Sequence, residues 1–206
     1  MRSRSYVADE RALTTLAASQ GGYFTSKQAA AIGYTAPKRN YHVQVGNWVR
    51  ECRGIFRLST QPLPVRPDMI LWWLWSRNRQ DEPQGVYSHQ TALSLHELTD
   101  VMPSRLHMTV PKTFRRSATI PKAIVLHMSD LPSSAVEQID GVPTTKALRT
   151  LIDVAFSGEV PLEDLQLAFA EATRSGRITR AEIAVTKTDA TQRDVLRLLQ
   201  GKRSKS

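Results

Sequence analysis

Between Lys38 and Gln44 the chain gathers Lys38, Arg39, Asn40, His42 and Gln44, side chains whose donors and acceptors suit the edges of nucleic-acid bases. Arginine can bind a guanine edge bidentately, and Asn or Gln can pair with adenine, so Arg39 and Gln44 are the expected base readers. Lys27, Arg50, Arg53 and Arg57 flank this stretch and are expected to meet phosphates, which position a domain without specifying sequence. The charge distribution agrees. Residues 1–66 hold ten Lys/Arg against three Asp/Glu, so most of the chain's net charge of +9 sits there. A positive N-terminal third raises the local concentration of a polyanion and speeds encounter with it. Double-stranded DNA is the expected partner.

Other chemistry is poorly supported. The five histidines, His42, His89, His96, His107 and His127, include no H-E-x-x-H pair and have no neighbouring cysteines. His89 and His96 are spaced to share a helical face, but Ser88 reads as a helix cap rather than a nucleophile. There is no G-x-S-x-G elbow and no glycine-rich phosphate loop. The single cysteine, Cys52, rules out an internal disulfide framework and suits burial as a small hydrophobe. No catalytic residue, metal or cofactor is therefore expected. Arg2 and Arg4 precede no apolar run, and the apolar stretch Met69–Trp75 is far too short to cross a bilayer, so a cytoplasmic protein without membrane contact is expected.

Two short helices must position the candidate readers. Thr25-Ser26-Lys27-Gln28 reads as a capping box, followed by Ala29, Ala30 and Ile32 as a small apolar face and Gly33 as the break. Thr35 is expected to cap the next helix, from Ala36 to about Val45, with Pro37 tolerated in its first turn. An earlier helix from about Ala8 to Ser19 should brace both through Leu13, Leu16 and Ala17, ending at Gly21-Gly22. A hairpin follows, with Trp48, Phe56 and Leu58 inward and Arg50, Arg53 and Arg57 outward. Asn47 suits a left-handed turn position and Gly54 the hairpin turn. Helix, turn, helix and wing is an arrangement that lays a basic helix in a DNA major groove. Tyr34 and Tyr41 are spaced for packing within this domain.

Beyond the connector marked by Pro62, Pro64 and Pro67, Asp68 can cap a helix to about Asn78 whose three tryptophans, Trp72, Trp73 and Trp75, suit a position between layers. Ser88 can cap another. Leu106–Val110 and Ala123–His127 read as strands of one sheet. A helical period begins at Thr144, with Arg149 one turn before Asp153. Helices marked by Leu162 to Ala172, by the capping box Thr179–Glu182, and by Val195, Leu198 and Leu199 follow. The expected class is α+β: an N-terminal winged helix-turn-helix over 1–66, then a mixed α+β domain over 67–200 with a helical C-terminal region, then a flexible basic tail over 201–206.

Gly22-Tyr23-Phe24-Thr25 with Ala29 and Gly33-Tyr34, Trp48-Val49-Arg50 with Arg53 to Leu58, Tyr87 to Leu98, Leu106 to Lys112, and Gly141 to Ala155 stand out along the chain. Together these stretches resemble the AbiEi family, the antitoxin and autorepressor half of type IV toxin–antitoxin systems. The resemblance implies repression of the chain's own promoter through inverted repeats. It also implies functional antagonism of a nucleotidyltransferase-like toxin without a stable complex. Lys112, Arg115 and Arg116 are the residues expected on the antitoxin surface. A second possibility is a transcriptional regulator whose C-terminal domain senses an effector and has no toxin partner. Asn47 departs from the family, whose members usually carry Gly there; Asn preserves the turn at some conformational cost. No Asp…Glu-x-Lys nuclease constellation accompanies the winged helix.

Overall fold

The computed structural model describes residues 2–100, 103–116, 119–186 and 189–201. Contacts divide it into two compact units. The first comprises Met1–Gly85, Phe114–Ser117 and Asp140–Val142; the second comprises Val86–Thr113, Ala118–Ile139 and Pro143–Ser206. Residues 67–85 are thus grouped with the first unit. The basic tail expected over 201–206 lies, from residue 202 on, outside the described residues.

In the first unit, α1 (Arg2–Ala18), β1 (Tyr23–Thr25), α2 (Ser26–Ile32), α3 (Ala36–Gln44), β2 (Trp48–Cys52) and β3 (Ile55–Leu58) form a winged helix-turn-helix. The three strands pair antiparallel in the order β1-β3-β2. The capping box at the head of α2 is present. Gln28 N–H donates to Thr25 Oγ1 at 3.1 Å, and Thr25 N–H donates to Gln28 Oε1 at 2.8 Å. Gly33 ends α2 with φ 109°, a conformation that costs glycine nothing. Thr35 holds the N-cap of α3 but makes no side-chain capping bond. In the turn before the wing the left-handed residue is Gly46, with φ 79°, and not Asn47. Asn47 is left free to anchor the wing: its carbonyl accepts from Ser59 N–H at 3.0 Å and from Ser59 Oγ at 2.8 Å.

Leu13, Ala17, Phe24, Ala29, Tyr34, Trp48, Phe56 and Leu58 make the core of this winged helix. Trp48 is its hub. The Phe24 ring meets it edge-on at 4.7 Å between centroids, Tyr34 lies at 5.1 Å, Phe56 at 5.9 Å, and the His42 ring stacks on it at 4.8 Å. The helix α4 (Pro67–Trp75) starts one residue before Asp68, so Asp68 sits in its first turn instead of capping it. Met69, Ile70, Leu74 and Trp75 are buried, whereas Trp72 and Trp73 are half-buried.

In the second unit, β4 (Val86–Tyr87), β5 (Leu106–Val110), β6 (Ile124–Met128), β7 (Val136–Ile139) and β8 (Val142–Thr145) form a sheet in the order β6-β5-β4-β8-β7. β5 runs parallel to β6 and β4 parallel to β8, while β4 and β5 are antiparallel. The helices are α5 (His89–Leu95), α6 (Ala147–Ser157), α7 (Leu162–Arg174), α8 (Arg180–Thr186) and α9 (Ala190–Leu199). Thr144 and Thr145, expected to open α6, are strand residues, and the helical period starts at Ala147. Leu148, Leu151, Ile152, Leu165, Phe169, Leu196 and Leu199 dominate the apolar core. Leu198 instead faces outward at 44% exposure, because Leu196 and Leu199 take the inner face of α9.

The sheet also assembles three histidines that the sequence spacing kept apart. His89, His107 and His127 come from α5, β5 and β6. The His89 and His127 rings stack with centroids 3.5 Å apart, and His127 Nε2 lies 3.1 Å from His107 Nδ1. His96 goes elsewhere, with Nε2 2.7 Å from the Thr145 carbonyl oxygen. His89 has φ 52°, a conformation that a non-glycine residue keeps only when its surroundings hold it. Burial and then the neighbouring imidazoles and Arg149 push its pKa down to about 3. Burial lowers His107 and His127 as well, with Glu159 opposing the shift at both.

Two outcomes follow from these cores. Trp48→Ala should lose about 3–5 kcal/mol of stability, the range for removing a fully packed aromatic, and Trp73→Ala clearly less. Equal urea-midpoint losses for the two variants would contradict this packing. The three histidines bind fewer protons folded than unfolded. Their contribution is therefore complete above the unfolded value of 6.5 and is lost as pH falls below it, for His89 down to about 3. A urea midpoint for the second unit that is lower at pH 5 than at pH 7, with the difference reduced in His89→Gln, is the expected result. A midpoint independent of pH over this range would overturn it.

Candidate nucleic-acid interface

Burial decides which side chains of α3 face out. His42 is 7% exposed, stacked on Trp48, with Nδ1 3.2 Å from Asn47 Nδ2. Its imidazole belongs to the core, and burial lowers its pKa further. Arg39 is half-buried, and its guanidinium donates to the Tyr34 carbonyl at 2.7 Å, tying the start of α3 to the turn before it. With His42 and Arg39 on the inner side, the 3.6-residue period turns Pro37, Asn40, Tyr41 and Gln44 outward, and all four are exposed. Lys38 is exposed beside them, its Nζ donating to the Gly33 carbonyl at 3.1 Å.

The wing residues separate in the same way. Arg50 and Arg53 are exposed. Arg50 donates to Asn40 Oδ1 at 3.0 Å and lies over the Phe56 ring, so it links the wing to the outer face of α3. Arg57 is half-buried, and its Nε donates to Glu51 Oε1 at 2.8 Å. That pair neutralises a cation expected at phosphate. Lys27 is exposed but donates to the Arg79 carbonyl at 2.5 Å.

A polar brace behind the wing was not legible from local sequence. Arg77 Nε and Asp81 Oδ1 form an ion pair at 2.9 Å, with both side chains largely buried. Thr25 Oγ1 donates to the other oxygen of Asp81 while accepting the Gln28 N–H. The Gly54 carbonyl, at the hairpin turn, accepts from Ser26 N–H at 2.9 Å and from Arg77 Nη2 at 3.4 Å. Gly54 has φ 80°, a backbone conformation that favours glycine, and a Cβ there would sit 2.8 Å from Arg77 Nη2. Nearby Cys52 is a half-buried free thiol whose pKa burial raises. It is not fully buried, in contrast to the expectation from sequence.

The basic residues after β5 do not form one group. Contacts assign Lys112 to the second unit and Arg115 and Arg116 to the first. Lys112 and Arg115 are exposed; the Lys112 N–H donates to Asp130 Oδ1 at 3.1 Å, and Arg115 donates to the Phe114 carbonyl at 2.8 Å. Arg116 is half-buried, lies 4.7 Å over the Trp75 ring and donates to the Arg77 carbonyl at 3.0 Å. Its role in the first unit is packing.

Two expectations about aromatic residues part company. Tyr34 is buried in the core, as its spacing implies, but Tyr41 is 59% exposed because it lies on the outward side of α3, about 100° round from His42. Among the described residues no cluster of three His, Cys, Asp or Glu could hold a metal ion, and no helix is long and apolar enough to cross a membrane.

Residues 11–59 match the model of a family described as a transcriptional regulator, AbiEi antitoxin. That span includes the C-terminal half of α1 and all of α2, α3 and the wing. No curated protein sequence matches the chain. Among solved structures, the crystal structure of RV2827C protein from Mycobacterium tuberculosis is similar at 13% identity with a TM-score of 0.49, covering 97% of this chain and 83% of that one. The N-terminal winged helix-turn-helix thus matches the AbiEi antitoxin family of transcriptional regulators.

Proposed function

We propose that this chain is the antitoxin of a type IV toxin–antitoxin system and represses its own operon by binding inverted repeats in the promoter. The observation that carries the reading is the exposed face of α3 and the wing. There Lys38, Asn40, Gln44, Arg50 and Arg53 stand outside a core closed by Trp48 and His42. In this reading Gln44 contacts a base edge, while Lys38, Arg50 and Arg53 hold phosphates. The charge balance of residues 1–66 supports it, because a polyanion is drawn to that end of the chain. The second unit then serves to antagonise a nucleotidyltransferase-like toxin without a stable complex, with Lys112 as a candidate contact.

Labelled DNA from upstream of the chain's own gene, titrated with the full-length protein at two salt concentrations, tests the DNA reading. Affinity should fall with salt at a log–log slope of about −0.9 per phosphate neutralised. Gln44→Ala should weaken binding to that DNA by roughly 1–3 kcal/mol while leaving unrelated DNA unchanged. Arg53→Ala should weaken both alike and reduce the slope by about 1. Absence of binding at low salt would remove the reading. Co-expression of the full-length chain with the nucleotidyltransferase-like protein encoded beside it tests the second role. Restored growth is expected, and undiminished toxicity would defeat it.

A further inference from the structure

The outward side of α3 is not uniformly polar. Tyr41 is 59% exposed and Val45, one turn later, is 49% exposed. The core does not need them: Phe24, Tyr34, Trp48 and Phe56 fill it, with His42 closing the gap on the inner side of the same helix. Tyr41 is nevertheless held in place, its ring meeting His42 edge-on with centroids 5.6 Å apart and planes at 79°. A fixed, exposed aromatic loses little conformational freedom when something covers it.

The surroundings indicate what that is. Lys38, Asn40, Gln44 and Arg50 are exposed on the same side, mixing cations and amides with the two apolar groups. A wholly apolar partner surface would leave those polar groups desolvated and unpaired, at a cost. The DNA major groove suits the mixture. It offers phosphates at its rims, acceptors and donors on base edges, and one apolar group, the C5-methyl of thymine. Side chains four residues apart on a helix have Cβ atoms about 5–6 Å apart. Base pairs rise about 3.4 Å per step. Tyr41 and Val45 can therefore reach two thymines one or two steps apart.

We propose that Tyr41 and Val45 read thymine methyl groups in the major groove, making them specificity-determining residues beside the polar readers. This rests on the DNA-binding reading above and adds a preference that phosphate contacts and amide hydrogen bonds do not supply.

The test uses the full-length protein and two versions of the DNA upstream of its gene, one with thymine and one with deoxyuridine at every such position. The two differ only by the methyl group. Burying one methyl contributes about as much as one CH₂, or about fourfold in affinity. The thymine DNA should therefore be bound about fourfold to fifteenfold more tightly. Tyr41→Ala and Val45→Ala should each lose about fourfold of that preference, the double variant should lose nearly all of it, and Lys38→Ala should keep it while binding both DNAs more weakly. Because both residues are exposed, the substitutions should leave folding intact, which a urea midpoint near that of the parent protein verifies. Equal binding of the two DNAs by the parent protein would overturn the inference while leaving the DNA-binding reading standing. A thymine preference unchanged in the double variant would also overturn it, because the discrimination would then come from duplex deformability. Binding to neither DNA would overturn the reading on which it rests.

Discussion

The stack of His42 on Trp48 is the constraint on which the candidate interface depends. It joins the inner side of α3 to the first residue of the wing, with ring centroids 4.8 Å apart and planes at 13°. A helix pinned at one residue has its whole rotation fixed, since each neighbour follows at about 100°. Placing His42 inward thus settles the rest: Arg39 falls on the inner side and Tyr41 and Gln44 on the outer. The other aromatic rings around Trp48 make that rotation costly to change, because turning α3 would open space in a packed core.

Local grammar made much of this architecture readable. The capping boxes at Thr25 and Thr179 appear with both reciprocal bonds, because cap and partner lie three residues apart and need no tertiary help. The alternation of Trp48, Phe56 and Leu58 gave the inner face of the wing. What sequence could not supply were partners brought from a distance. Nothing near Lys27 announces the Arg79 carbonyl, and the role of Arg57 depends on Glu51 across the hairpin. His42 reads as a polar residue among polar residues, and only the position of Trp48 makes it a core side chain.

The second unit shows the same division. Its helices were legible from their apolar periods, and the Arg149–Asp153 pair from its four-residue spacing, which closes at 2.9 Å. Its short strands were not: β4 and β8 hold few residues each and find their identity in pairing Tyr87 with Thr144. The juxtaposition of His107 and His127 is a consequence of a different pairing, that of β5 with β6, which brings one imidazole alongside the other, and His89 stacks on His127 from α5. No reading of spacing along the chain could have produced it, because the residues are near only once the sheet is formed.

The bond from Arg77 to the Gly54 carbonyl bears on how such a winged helix can be inherited. The family match ends at residue 59, yet the brace of the hairpin turn comes from Arg77 and from Asp81, which also holds Thr25 at the head of α2. A gene fusion or graft joined just after the wing would carry the reading helix but leave its buttress behind. The Gly54 carbonyl would keep only the Ser26 N–H, and the recipient would have to provide a new acceptor for the Thr25 hydroxyl. The structural module therefore extends past its recognisable sequence, through α4 and the turn that follows, to about Gly85.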